Sequence, residues 1–150
     1  MSTGLTDLYQ EVILDHSRHP RNFGPGGEAD RQARGNNPLC GDRVTVYLAV
    51  EGDRIADARF EARGCAISIA SASMMTEMIK GKTVDEAKSL FQRFRALVTG
   101  DGADGGDGEL NELESLSGVR AFPTRIKCAT LAWHAMTAAL DGADTEVKTE

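Results

Sequence analysis

Two adjoining segments with strand character constrain the fold most. VTVYLAV (44–50) and RIADARFEA (54–62) are separated only by Glu51, Gly52 and Asp53. Apolar and polar residues alternate clearly across 55–60, the pattern of a strand whose successive side chains point to opposite faces. A three-residue connection with a central glycine, which turns without steric cost, predicts an antiparallel hairpin. A further strand is expected within 28–34, on one edge of the same sheet.

The chain on either side of the hairpin reads as helical. In LTDLYQEVILDH, Leu5, Leu8, Tyr9, Val12, Ile13 and His16 recur at helical spacing, with Thr3 or Thr6 as the cap. Pro20, Pro25 and the glycines around them end that helix. CAISIASASMMTEMIKG (65–81) sets Ile67, Ala70, Met74 and Met78 on one face, and its methionines read as core filler. Thr83 caps the next helix, with Asp85 and Glu86 in its first turn, where the helix dipole favours acids. A short helix is expected over 109–116 and a long one over 124–140, after Pro123. The order of elements predicts one α+β domain, a small three-stranded antiparallel sheet packed with about five helices. It would carry a flexible insertion at about 100–122 and a short disordered tail at about 142–150.

Composition narrows the function classes. With 150 residues and 41% hydrophobic content, the chain is long enough for one real core. A net charge of −6 argues against nucleic acid as the main partner, since neutralising phosphates needs a basic face. No apolar run is long enough to span a bilayer, and the start lacks the charged and apolar regions of a signal peptide, so a cytoplasmic protein is expected. Three cysteines make a disulfide framework unattractive and leave reduced thiols, metal ligation or catalysis.

Each cysteine falls at the end of an element. Cys40 lies in the turn NPLCGD, Cys65 follows Gly64 at a helix start, and Cys128 lies near the start of the last helix beside Arg125 and Lys127. Helix N-termini and neighbouring cations favour the thiolate. Taken singly, each is simplest as a small buried residue. Together they suggest that the fold gathers Cys40, Cys65 and Cys128, with Asp42 as a fourth ligand. Three thiolates and a carboxylate suit zinc, and equally an iron–sulfur cluster.

Other chemistry is weaker. His16 and His19 read as packed or solvent-facing rather than as a metal pair, and His134 as a helix-face residue. The acidic, glycine-rich stretch 101–108 lacks the spacing and the closing glutamate of an EF-hand, and reads as a solvated loop. Nucleophile elbows, P-loops and dinucleotide fingerprints are absent.

LYQEVILDHSRHPRN, NPLCGD, RGCAISIASASMM and IKCATLAW, in this order, resemble the IscU/NifU-like family of iron–sulfur cluster assembly proteins. The resemblance implies the α+β fold above, with Cys40, Asp42, Cys65 and Cys128 as the site. Scaffold-type members carry histidine before the third cysteine and a proline-rich LPPVK segment ahead of it. Here the first position is Lys127, AFPTRIKC does not match the second, and an insertion separates the last two long helices. These departures resemble the SufU branch of the family. That branch implies bound zinc and transfer of persulfide sulfur from a cysteine desulfurase of the SufS type, for use by downstream iron–sulfur assembly proteins. Cys40 would then leave the metal, displaced by a histidine of the desulfurase, and attack the persulfide, with Arg125 and Lys127 supporting the anionic sulfur or docking the partner. The alternative the resemblance leaves open is a scaffold on which a cluster is built and passed on.

Overall fold

A computed structural model describes residues 3–26, 29–38, 41–99, 116, 119, 122–142 and 146–148, with backbone alone for 3–10 and 146–148. Helix α1 (Thr3–Arg18) leads into strands β1 (Arg31–Asn37), β2 (Asp42–Glu51) and β3 (Arg54–Arg63). Helices α2 (Ala66–Ile79), α3 (Val84–Thr99) and α4 (Pro123–Leu140) follow, then a short strand β4 (Glu146–Lys148).

The hairpin forms as its alternation predicts. Glu51 pairs with Arg54, Gly52 takes φ +64° in the turn, and the register slips once at Ala49/Val50. Val44, Val46, Leu48, Ile55, Ala58 and Phe60 turn into the core. β1 is antiparallel to β2 through Arg31↔Leu48 to Asn37↔Asp42, which gives the expected three antiparallel strands. It begins and ends three residues later than 28–34. Gly35-Asn36-Asn37 resembles a turn in sequence, yet here the glycine serves a close approach. A Cβ on Gly35 would lie 3.0 Å from Leu131 Cδ1 of α4.

β1 is also not an edge. Part of the tail read as disordered, 146–148, pairs with it in parallel, giving the order β3-β2-β1-β4. The outer side of β1 offers unpaired backbone groups, which a three-residue segment satisfies without any sequence signal of its own.

Helices α2 and α4 cover the inner face of the sheet, α2 against β3 and α4 against β1 and β2. Both are buried nearly all round, since α1 packs outside α2 and α3 outside α4. Trp133 of α4 stacks on Phe91 and Phe94 of α3 at centroid distances of 5.8 and 5.0 Å, and its indole N–H donates to Ser71 Oγ at 3.1 Å. Met74 and Met75 are buried, as core filler should be. Among the described residues there are four helices. The helix expected at 109–116 lies outside them except for Leu116. Of the insertion at 100–122, Leu116, Val119 and Phe122 are described, and Leu116 and Val119 are buried in the core.

Candidate metal centre

The centre is built at one end of the β2–β3 ladder. Asp42 opens β2 with its side chain turned inward and fully buried. β3 ends at Arg63, the chain turns at Gly64 with φ +147°, and Cys65 caps α2 in an extended conformation. Because Arg43 pairs with Arg63, this turn brings Cys65 back over Asp42. The Cys65 N–H donates to Asp42 Oδ1 at 2.9 Å, and Cys65 Sγ lies 3.7 Å from Oδ2. A buried carboxylate is costly unless its oxygens are hydrogen-bonded, and the N-terminus of α2 supplies both a donor and the positive end of a dipole.

Gly64 permits this arrangement. A Cβ there would lie 2.8 Å from Asp42 Cγ and overlap Oδ1, and its φ is one that L side chains rarely adopt. Cys128 enters from the second turn of α4, fully buried. One ligand atom each from Asp42, Cys65 and Cys128 lies within 4.8 Å of the others. Among the described residues no other group of three His, Cys, Asp or Glu side chains converges in this way.

The exposed Arg125, one turn before Cys128, faces both sulfurs. Negative charge on Cys65 holds its guanidinium above the ordinary arginine value, followed by a hydrogen bond to Cys128 and the charge of that sulfur. Lys127 is half-buried beside Cys128. Cys40 lies outside the described residues. Its flanks are described: Pro38 follows β1, and the Gly41 N–H donates to Asn37 O at 2.9 Å with φ +74°.

The donor set fits zinc. With Zn–S of about 2.3 Å and Zn–O of about 2.0–2.2 Å, tetrahedral ligand atoms stand about 3.5–3.8 Å apart. The Cys65–Asp42 separation of 3.7 Å already has that span.

The histidines take other work. His16 is buried with Nδ1 2.7 Å from Ser73 Oγ, and His19 is exposed. His134 lies edge-on to Phe91 at 5.0 Å, its pKa lowered by burial and then by Arg95. What the sequence did not disclose is the part played by Gly64. Its only signal is a glycine wedged between a strand end and a cysteine.

Residues 8–100 match the family described as NifU-like N-terminal domain, a span that holds Asp42 and Cys65. The chain belongs to that family. Two relatives extend the likeness beyond it. The zinc-dependent sulfurtransferase SufU of Bacillus subtilis (strain 168) is 44% identical over 135 residues, 90% of each chain. The iron–sulfur cluster assembly scaffold protein IscU of Streptococcus pyogenes serotype M1 is 43% identical over 138 residues, 91% of this chain and 84% of that one. The solved N-terminal part of a nitrogen-fixing NifU-like protein from Brucella abortus superposes with a TM-score of 0.81 at 26% identity, covering 91% of this chain and 94% of that one. The likeness to a NifU-like fold thus extends over 91% of the chain, more than the matched residues 8–100.

Proposed function

We propose that this protein is a zinc-dependent sulfurtransferase that accepts persulfide sulfur from a cysteine desulfurase and passes it into iron–sulfur cluster assembly. The observation that carries the reading is the convergence of Asp42, Cys65 and Cys128 within 4.8 Å. Likeness to the B. subtilis sulfurtransferase across 90% of both chains supports the same reading.

Asp42, Cys65, Cys128 and Cys40 would hold the metal. Bound there, zinc keeps thiols deprotonated at neutral pH and fixes their geometry. Cys65 and Cys128 are set by α2 and α4, whereas Cys40 belongs to the connection between Pro38 and Gly41 and is the acceptor in this reading. Its thiolate attacks the terminal sulfur of a persulfide R–S–SH. The new bond to Cys40 forms as the S–S bond of the donor breaks, R–S⁻ leaves, and Cys40–S–SH results with no net oxidation. Arg125, facing the sulfurs, stabilises the anionic forms, and Lys127 adds charge at the same helix turn. This chemistry belongs in the cytoplasm, where thiols stay reduced, with a desulfurase of the SufS type as sulfur donor and downstream assembly proteins as recipients.

A second reading, a scaffold on which an iron–sulfur cluster is assembled, is favoured by the 43% identity to the S. pyogenes scaffold protein. Anaerobic purification separates the two. Colourless protein with stoichiometric zinc is expected, while brown protein with iron and sulfide would establish the scaffold. A Cys40→Ser protein should then bind the desulfurase but no longer stimulate its turnover. Full stimulation by that variant would remove Cys40 from the acceptor role.

A further inference from the structure

Arg43 and Arg63 form the last registered pair of the β2–β3 ladder, at the end that carries the metal centre. Strand alternation sends Asp42 and Val44 into the core and Arg43 outward, and Arg63 is exposed. Directly opposed side chains have Cβ atoms about 4.5–5.5 Å apart, and like charges there are destabilising. Among the described residues neither arginine forms an ion pair with a carboxylate. The nearest acid on this face of the ladder, Glu61, lies two pairs along, opposite Thr45, and its carboxylate accepts the Tyr47 hydroxyl at 2.6 Å. A chain of net charge −6 therefore exposes two opposed, unneutralised guanidinium groups next to its candidate centre.

Phe23 stands beside them. It is 47% exposed, held edge-on to Phe60 at 5.3 Å, with the segment 22–24 fixed to β3 through Gly24 N–H to Phe60 O and Phe60 N–H to Asn22 O. Phe23, Arg43, Thr45, Glu61 and Arg63 line a groove of about 270 Å³.

We propose that this groove is the docking surface for an acidic segment of the cysteine desulfurase, whose carboxylates meet Arg43 and Arg63 while an apolar side chain rests on Phe23. The inference rests on the sulfur-acceptor reading and adds where the donor binds. An acidic partner is repelled by most of an acidic chain, so a local cationic pair orients its approach and turns the cysteine end toward the persulfide. A carboxylate between the two guanidiniums also removes their mutual repulsion.

The test compares the zinc-loaded wild type with two double variants, Arg43→Ala/Arg63→Ala and Arg43→Glu/Arg63→Glu. The desulfurase is one purified from the same organism. Turnover is measured against acceptor concentration, and binding by calorimetry at low and high salt. Both variants should raise the apparent KM, the glutamate pair on the order of tenfold or more, with kcat at saturation unchanged and the salt dependence of binding flattened. The alanine pair should melt no lower than wild type, because it removes a like-charge contact, and so guards against a misfolded glutamate variant. Unchanged KM and salt dependence in the alanine pair, with wild type active, would overturn the docking surface and leave the sulfur-acceptor reading standing. Wild type that neither binds nor stimulates the desulfurase would remove both.

Discussion

At the scale of single residues, the centre depends on positions that carry no ligand atom. Asp42 is accommodated in a buried site because α2 begins with a backbone donor aimed at its carboxyl group, and Gly64 leaves room for it. The charge of Cys65, then the hydrogen bond to Cys128 and the charge of that sulfur, raise the pKa of Arg125 beside the site. His134 works in the opposite sense. Burial against α3 and the charge of Arg95 lower its pKa below the ordinary 6.5. Between the lowered folded value and 6.5, the unfolded chain binds a proton at this position that the folded chain does not, so stability rises with pH there. The contribution is complete above about 6.5 and is lost as pH falls toward the folded value. In urea melts at a series of pH values, the loss of stability between pH 7.5 and the acid side should be smaller in His134→Phe than in wild type. Equal slopes would show that another group carries the titration.

At the scale of elements, local chemistry decided what could be read ahead. Thr83 and Glu86 form a reciprocal capping box on α3. Glu86 N–H donates to Thr83 Oγ1 at 3.1 Å, and Thr83 N–H donates to Glu86 Oε1 at 2.9 Å. Thr83→Ala should cost about 1 kcal/mol, visible as a lower urea midpoint with unchanged slope, and Thr83→Ser should restore most of it. Such signals lie within four residues, as does the alternation of the hairpin, and both were legible in the sequence. So was the placement of Cys65 and Cys128 near helix starts, because Gly64 and Pro123 mark those ends locally. The second half of β1 was not legible, since Gly35-Asn36-Asn37 has turn composition and is held extended by β2 on one side and Leu131 of α4 above. Strand β4 likewise exists through its partner, three residues laid along an open strand. The approach of Arg125 to both sulfurs depends on how α4 crosses the sheet, and no local pattern encodes it.

At the scale of the whole molecule, the centre is where three separately placed elements meet. Asp42 belongs to the sheet, Cys65 to the start of α2 and Cys128 to α4, and the helices are joined again further along by Ser71 Oγ donating to Ala129 O at 2.5 Å. A metal held by all three could not be kept by the unfolded chain, so its binding and folding would be linked. At a free metal concentration of 100 times Kd, the linkage amounts to about 2.7 kcal/mol. For a chain of this size, 1 kcal/mol corresponds to roughly 2–4 °C, so chelation should lower the melting temperature by roughly 5–10 °C. Asp42→Asn separates the metal from the packing around it. Its amide oxygen can still accept the Cys65 N–H, so the metal-free melting temperature should stay within about 2 °C of wild type. The gain on adding zinc should shrink, because a neutral amide replaces the carboxylate at the candidate site. Calorimetric scans of both proteins with zinc and with chelator decide the matter. Equal zinc-dependent gains would show that Asp42 does not hold the metal, and a large drop without zinc would show that its charge serves the fold itself.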